Sequence, residues 1–156
     1  MKASDETVHI AFDIETEIPG IDLERLKQFI RHICRRFEVS EASIEIQIVG
    51  DEGIMKIHEQ FLGSSASTDV ISFDLSDDHG RCFQLVINVD MARRKSEELR
   101  HSAEAELALY ITHGMLHNLG FDDAEPKQAK KMHETEDALL QELGFGIIYH
   151  KQENSN

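Results

Sequence analysis

The most informative stretch of this chain is HGMLHNLGFDD, which runs from His113 to Asp123. Its two histidines stand four residues apart, and the aspartate stands six residues after the second of them. Residues i and i+4 lie on the same face of an α-helix, so the imidazoles of His113 and His117 can reach one ion. Gly120 can adopt a positive φ and end the helix, which would bring Asp123 back to the same point. The stretch therefore predicts a helix that carries a metal site.

The three side chains suit zinc. Two imidazole nitrogens and a carboxylate oxygen are common zinc ligands, and three protein ligands leave a fourth position open for water. The alternative is that two histidines at helical spacing occur by chance. The apolar run LALYIT at residues 107–112 precedes them, which indicates that the helix is not a solvated one. We therefore predict one Zn²⁺ ion, although the same ligands would accept other divalent metals.

The residue after the first histidine separates two kinds of zinc hydrolase. Zinc held by three protein ligands supplies hydroxide near neutral pH, so hydrolysis of an amide or a phosphodiester is the natural reaction. Zinc peptidases with a His-Glu-x-x-His motif carry their general base directly after the first histidine. Gly114 stands there in this chain and has no side chain. The peptidase activity is therefore disfavoured.

Length and composition predict one domain over residues 1–150 and a disordered polar tail at residues 151–156. No run of 18 apolar residues is present, and the N-terminus lacks a basic region followed by an apolar stretch. We therefore expect a cytoplasmic protein with no membrane partner. Cys34 and Cys82 belong to no CxxC pair, which is typical of free structural thiols in a reducing compartment.

The charge of the chain bears on nucleic-acid binding. The formal net charge is −14, which argues against broad, sequence-independent binding, because that requires a basic surface. A local basic groove remains open at two clusters, one of Arg31, Arg35 and Arg36 and one at residues 93–95. A solvated helix face is the simpler interpretation of each cluster, and we favour it.

Apolar periodicity predicts an α+β fold in which helices cover a sheet of about four strands. Period-2 alternation predicts the first two strands, and short apolar runs beside turn residues predict the other two. The last two strands are compatible with a hairpin, although a parallel arrangement stays open. Polar capping residues and Pro126 predict the helix starts. The predicted strands are 8–14, 43–49, 68–73 and 83–89, and the predicted helices are 23–37 after Asp22, one from Asp51 to Phe61, one from Asp90 to Arg100, 103–119 after Ser102, and one from Pro126 to Gly144.

The sequence resembles the YbeY family of bacterial rRNA-maturation endoribonucleases. The family pattern His-Gly-x-Leu-His-Leu-x-Gly-Tyr-Asp-His aligns with residues 113–123, and the family strand Thr-Asp-Val-Leu-Ser-Phe aligns with residues 68–73. Further matches are Glu106, Met132 and Glu136. Element order and chain length agree as well, so the resemblance covers nearly the whole chain.

The resemblance implies a single-domain α+β fold with one zinc ion, hydrolysis of single-stranded RNA and maturation of rRNA at the small-subunit 3′ end. It also implies a role in ribosome quality control, with small-subunit ribosomal proteins as candidate partners and no DNA substrate. By position, His113 and His117 correspond to the first two of three histidine ligands. Asp123 stands at the third, and aspartate can also ligate zinc.

The chain departs from the family pattern elsewhere. By spacing, His58 and Leu62 stand where the family has an asparagine and a functional arginine, and Phe83-Gln84 stands where it has Gly-Asp. Leucine cannot grip phosphate as the planar guanidinium does. Together with Asp123, these substitutions predict a divergent member with changes around one cleft.

The predicted site consists of three groups. His113, His117 and Asp122 are the predicted catalytic residues; His113, His117 and Asp123 are the predicted metal ligands. Asp122 could support the site from outside the ligand set or form a turn, or both. Substrate-binding residues are predicted to be His58, Asp69 and Ser72, with a helix-surface histidine and strand packing as the respective alternatives. Glu106 could orient a groove residue or be a solvated acid. The remaining histidines are predicted to be surface residues: His9, His32, His79, His101, His133 and His150.

Two functions of different class remain. The first is a zinc-dependent endoribonuclease that acts on single-stranded RNA in rRNA maturation. The second is a ribosome-assembly factor in which the metal is structural and catalysis is weak or absent. Leu62 and the acidic net charge favour the second function more than they would in a typical family member.

Overall fold

The computed structural model describes residues 7–17, 19–64 and 67–145. They form one α+β domain with a four-stranded mixed sheet, as the sequence predicted. The predicted tail at residues 151–156, His150 and part of the Gly144–Gly146 stop signal lie outside the described residues. The strands are β1 (Val8–Ile14), β2 (Ala42–Val49), β3 (Val70–Asp74) and β4 (Arg81–Asn88), and the helices are α1 (Leu23–Arg36), α2 (Asp51–Leu62), α3 (Val89–Leu99), α4 (Ala103–Asn118) and α5 (Pro126–Glu142).

The sheet has the strand order β1-β2-β4-β3. β1 and β4 both run parallel to the central β2, whereas β3 runs antiparallel to β4. The hairpin arrangement of β3 and β4 is therefore confirmed. β3 is the outermost strand on one side, so its second edge pairs with no strand of the described sheet.

Two apolar clusters lie on opposite faces of the sheet. The larger one joins the sheet to α1, α4 and α5 through residues such as Phe29, Ile46 and Leu116. The smaller one joins α2 to β3 and β4 through Ile54 and Ile71, with Phe73 packed against it. Alternation along β3 explains the division, because successive side chains of a strand point to opposite faces. α4 and α2 thus approach β3 from opposite sides.

Polar residues cap the starts of α1 and α4 as predicted, whereas a residue other than the predicted one caps α3. Asp22 and Ser102 each accept a hydrogen bond from a backbone N–H in the first turn of α1 and α4, as predicted. Asn88, rather than Asp90, caps α3 by accepting from the N–H of Met91. Asp90 instead accepts at 3.0 Å from the N–H of Asp51, so it supports the start of α2.

Three other predicted boundaries differ from the structure. α2 begins at Asp51 itself with Gly50 as its uncharged cap, so Asp51 is a first-turn residue and not the cap. β3 begins at Val70 and not at residue 68, because the side chain of Asp69 bonds the N–H of Val70 and starts the strand there. β4 begins at Arg81, two residues before the predicted start.

α4 is almost wholly enclosed, with twelve of its sixteen residues buried. Gly114 lies where the helix crosses the sheet: a Cβ on it would come within 2.8 Å of Leu85 Cδ2 and 3.2 Å of Val70 Cγ2. The helix ends as predicted at Gly120, whose φ is +100°. The N–H of Phe121 then donates to the carbonyl of Leu116, which reverses the chain toward the end of α4. Among the described residues, no helix is both long and apolar enough to cross a membrane.

Candidate metal centre

Three side chains from the quoted stretch converge at the end of α4. Nε2 of His113 lies 3.1 Å from Nε2 of His117. Oδ2 of Asp123 lies 3.6 Å from the first of these nitrogens and 3.7 Å from the second. The helical spacing sets the histidine pair, and the turn at Gly120 returns Asp123 to it. We call these three residues the ligand triad.

The ligand triad has the dimensions of a zinc site. Tetrahedral coordination at about 2.0–2.1 Å places ligand atoms about 3.3–3.4 Å apart, which the three measured separations bracket. Exposure rises from 21% for the side chain of His113 to 39% for that of Asp123. The histidines are thus set into the protein, and the site opens toward solvent on the aspartate side. The residues present fit one zinc ion with an accessible fourth position.

A buried carboxylate from α5 orients the first histidine. Oε2 of Glu136 lies 2.6 Å from Nδ1 of His113, and Oε1 lies 2.8 Å from Nδ1 of His133. The Glu136 side chain is fully buried. A carboxylate only accepts, so the proton of neutral His113 resides on Nδ1 and the lone pair of Nε2 points into the ligand triad.

The electrostatics of this pair are consistent. Burial disfavours the charged imidazolium of His113, but the hydrogen bond and charge of Glu136, with the charges of Asp69 and Asp123, outweigh it and raise the pKa. Burial disfavours ionised Glu136, but its hydrogen bonds with His113 and His133 outweigh burial and lower the pKa of the carboxyl. Glu136 is therefore a buried carboxylate held between two imidazoles.

A second ligand set shares His113 with the ligand triad. The atoms of His113, His133 and Glu136 also lie within 4.8 Å of one another. Both oxygens of Glu136 are already engaged by the two Nδ1 atoms. This set is therefore a hydrogen-bonded support, and the ligand triad is the better candidate for the ion.

Asp122 occupies a turn beside the site. Its Oδ1 accepts from the N–H of Asp123 at 2.7 Å and from that of Ala124 at 3.2 Å. These two bonds hold the backbone that aims Asp123 at the histidines. The turn alternative is thus present in the structure, and a catalytic role for Asp122 stays a prediction.

The predicted substrate residues lie on two elements, Asp69 and Ser72 at the start of and within β3 and His58 on α2. Asp69 precedes β3, where its carboxylate bonds the N–H of Val70 and its charge contributes to the raised pKa of His113. Ser72 lies within β3 opposite Leu85. Nδ1 of His58 lies against the carbonyl of Ser64 in the loop after α2, so this ring nitrogen contacts that loop and not the ligand triad.

Two family departures differ in position. Phe83 is 1% exposed within the main core, so its prediction as a cleft residue is wrong: β4 buries that side chain under the helices. Leu62 is 55% exposed at the end of α2. Of Phe83 and Leu62, only Leu62 is exposed enough to contact a bound RNA.

Three predictions for polar residues require correction. Glu106 is fully buried between His101 and Tyr110, so the solvated alternative is wrong. His101 and His133 are not surface residues: their side chains are 8% and 17% exposed, and each bonds a buried glutamate. His133 and Glu136 stand three residues apart on one helix, and this spacing was the sequence signal that could have revealed their contact.

The two basic clusters are engaged locally. Arg94 forms a two-pronged ion pair with Asp51, and Arg93 pairs with Asp90 on its own helix. Nη1 of Arg31 donates to the carbonyl of Val8. These contacts favour the solvated or structural interpretation over a basic groove. Neither Cys34 nor Cys82 forms a disulfide in the part of the chain that the structure describes.

Comparison with known proteins gives one family. The model of the family described as endoribonuclease YbeY matches residues 11–144. Endoribonuclease YbeY of Lysinibacillus sphaericus is 30% identical over 151 residues, which cover 88% of this chain and 96% of the relative. Endoribonuclease YbeY of Anaeromyxobacter sp. is 37% identical over 109 residues, which cover 68% of this chain and 57% of that longer relative. The solution structure of TM1509 from Thermotoga maritima shares the fold, with a TM-score of 0.61 at 24% identity over 95% of this chain and 93% of that one. The chain therefore belongs to the endoribonuclease YbeY family.

Proposed function

We propose that this protein is a zinc-dependent endoribonuclease of the cytoplasm that cleaves single-stranded RNA in rRNA maturation, at the small-subunit 3′ end, and in ribosome quality control. The observation that carries the proposal is the ligand triad, with donor atoms 3.1–3.7 Å apart and one histidine oriented by a buried carboxylate. Family membership supplies the RNA substrate class. Small-subunit ribosomal proteins are candidate partners, and DNA is not an expected substrate.

Each residue of the site has a distinct task in this proposal. His113 and His117 hold the ion from the helix, and Asp123 completes the set from the turn. Zinc in such a site acts as a Lewis acid and activates water near neutral pH. Glu136 keeps the Nε2 lone pair of His113 available, and Asp122 keeps the turn in place. Because Asp123 and Asp69 are negative, the charge of the metal would favour the approach of an RNA phosphate to the ligand triad.

The anionic third ligand tunes the site. Compared with three neutral histidines, a set with Asp123 is less positive by one charge, which weakens the polarisation of bound groups. Activity should therefore require a higher pH than in a three-histidine relative. Asp123→His is the direct test of this point.

The experiment that tests the function combines metal content with RNA cleavage. Purified protein is assayed by elemental analysis and on a fluorescent single-stranded RNA, before and after chelation and zinc return. His117→Ala and Asp123→Ala should lose metal and cleavage together. Asp122→Asn, which keeps an accepting oxygen, should retain the metal, and a loss of cleavage in it would support the predicted catalytic role of Asp122. His79→Ala, at an exposed turn, is the matched histidine control. Full metal content in Asp123→Ala would remove that residue from the site, and cleavage that survives His117→Ala would overturn the enzyme.

The second candidate is an assembly factor with a structural metal. Its supporting observation is Leu62, exposed where the family carries an arginine, in a chain of net charge −14. It predicts that association with small ribosomal subunits persists in His117→Ala, while metal-loaded wild-type protein leaves RNA intact.

A further inference from the structure

The last turn of α2 exposes an aromatic ring. Phe61 is 61% exposed, and Leu62 beside it is 55% exposed. The ring of Phe61 meets that of Phe73 in β3 edge to face, with centroids 5.5 Å apart and planes 67° apart. Phe73 is partly buried against the small apolar cluster, so it holds the orientation of the outer ring. The result is a supported aromatic surface that faces solvent.

This surface lies across β3 from α4, the helix that carries two residues of the ligand triad. Phe61 contacts β3 from the face that α2 covers. α4 contacts the same strand from the other face, where Gly114 packs on Val70 and Nδ2 of Asn118 lies 3.5 Å from the carbonyl of Phe73. Asn118 directly follows His117. One face of β3 is therefore in contact with α4, the helix that carries His113 and His117, and the other face is in contact with Phe61.

The charges around Phe61 favour a base over a phosphate. β3 contains no lysine or arginine and ends in Asp74. α2 contains no arginine, and its one lysine, Lys56, lies more than one turn before Phe61 and 4.0 Å from Glu52. Its one histidine, His58, points Nδ1 at the carbonyl of Ser64. The phosphates of an RNA strand therefore meet no arginine and no nearby lysine of α2 or β3 at the surface around Phe61. Stacking on an aromatic ring is open to every nucleobase and needs no cation.

We propose that Phe61, supported by Phe73, is a stacking platform for one nucleobase of a single-stranded RNA that runs along the outer edge of β3 to the ligand triad. The proposal rests on the proposed function for the identity of the polymer. It assigns to the protein a source of RNA affinity that is aromatic and not electrostatic. Binding through this platform does not require the metal.

The chain contains no tryptophan, which allows a direct test. Phe61→Trp introduces a single indole that can stack and report, and Met55→Trp introduces one on a different face of the same helix. Each variant is titrated, in chelator, with a short single-stranded oligoadenylate. We expect quenching of the indole in Phe61→Trp with no loss of affinity, and unchanged emission in Met55→Trp.

Affinity is measured in parallel by fluorescence anisotropy of labelled oligoadenylate. Phe61→Leu keeps apolar contact with Phe73 but removes the ring face, so the Kd should rise by about 5- to 150-fold, the range for one stacked base. Met55→Leu should bind as wild type does. Thermal denaturation shows whether each variant is folded. Because Phe61 is exposed, we expect its variants to unfold at nearly the wild-type temperature.

The outcomes separate this proposal from the proposed function. Unquenched emission in Phe61→Trp, or an unchanged Kd in Phe61→Leu, overturns the platform even if metal-loaded protein cleaves RNA. Loss of small-subunit association in Phe61→Leu with normal oligoadenylate binding also overturns it, because the surface would then serve a protein. Quenching in Phe61→Trp and weaker binding in Phe61→Leu would support the platform even if the metal-loaded wild-type protein cleaves no RNA. That combination would overturn the proposed endoribonuclease activity alone.

Discussion

The carboxylate of Glu136 lies 2.6 Å from Nδ1 of His113, although 23 residues separate the two in sequence. The contact joins α5 to α4 at the point where α4 presents its first metal ligand. The other oxygen of Glu136 binds His133, so one buried carboxylate fixes the position of both histidines. The orientation of the ligand triad therefore depends on helix packing as well as on local spacing.

Glu136→Gln should weaken zinc binding by about 10- to 100-fold, the usual cost of changing a group that orients a metal ligand. The substitution keeps the shape of the side chain but removes the charge that makes Nε2 of His113 a stronger ligand. Competition with a chromophoric chelator measures the affinity. Glu134→Gln, at an exposed position on the same helix, is the control. Equal affinities in the two variants would contradict the role of Glu136.

Gly114→Ala should destabilise the protein by about 1 kcal/mol, because overpacking of about 1–3 kcal/mol exceeds the gain in helix propensity of up to about 1 kcal/mol. The new Cβ would meet Leu85 Cδ2 at 2.8 Å, in the fully buried core. Urea unfolding measures the change. In a Leu85→Val background, which lacks the colliding atom, the same substitution should cost less. An identical cost in both backgrounds would place the strain elsewhere.

Glycine at this position also separates the fold from the zinc peptidases. A glutamate there would have to enter the space between α4 and the sheet, occupied by Leu85 and Val70. The sequence indicated the missing base, and the structure adds the reason that a base cannot stand there. The position faces the sheet and not the metal.

The local parts of the site were accessible from sequence because they depend on local geometry. Helical spacing places His113 beside His117, and the turn at Gly120 returns Asp123. The support from Glu136 comes from another helix, and no local pattern encodes that pairing. Phe83 shows the same limit: alignment by spacing placed it near a cleft, whereas the sheet places it in the core.

The fold was predictable to the same extent. Alternation, short apolar runs beside turn residues, helical spacing and capping residues together located every described strand and helix. One helix cap was assigned to the wrong residue because two polar residues compete for one helix start. Asn88 and Asp90 could each cap α3, and the choice depends on Asp51, which draws Asp90 toward α2 through its N–H. That contact spans 39 residues and is visible only in three dimensions.

Asp51 makes stability depend on pH in acid. A hydrogen bond from Arg94, with others from Asn88 and Ser67, holds the pKa of Asp51 well below its ordinary value. A lowered folded pKa stabilises the protein above the unfolded pKa of about 4, and this contribution is lost as the pH falls through the folded pKa. Asp51→Asn should therefore cost about 1 kcal/mol at neutral pH, since the pair is partly solvated.

The cost of Asp51→Asn should shrink steadily below about pH 4, as the wild-type carboxylate takes up its proton. Urea unfolding of both proteins across this range measures the difference. Glu52→Gln, whose side chain is 90% exposed, should show no such trend. A pH-independent difference for Asp51→Asn would mean that the amide fails for steric and not for electrostatic reasons.

Leu62→Arg should add an electrostatic component to RNA binding. Leu62 is 55% exposed, so the longer side chain needs no space in the core, and stability should change by less than about 0.5 kcal/mol. One new phosphate contact should lower the Kd about fivefold at low salt, or about 1 kcal/mol. It should also steepen the dependence of log K on log salt by about 0.7.

Leu75→Arg, at a position 53% exposed beyond β3, controls for added charge alone. If both variants gain equally, the effect is long-range attraction; a gain confined to Leu62→Arg places the RNA backbone at the end of α2, beside Phe61.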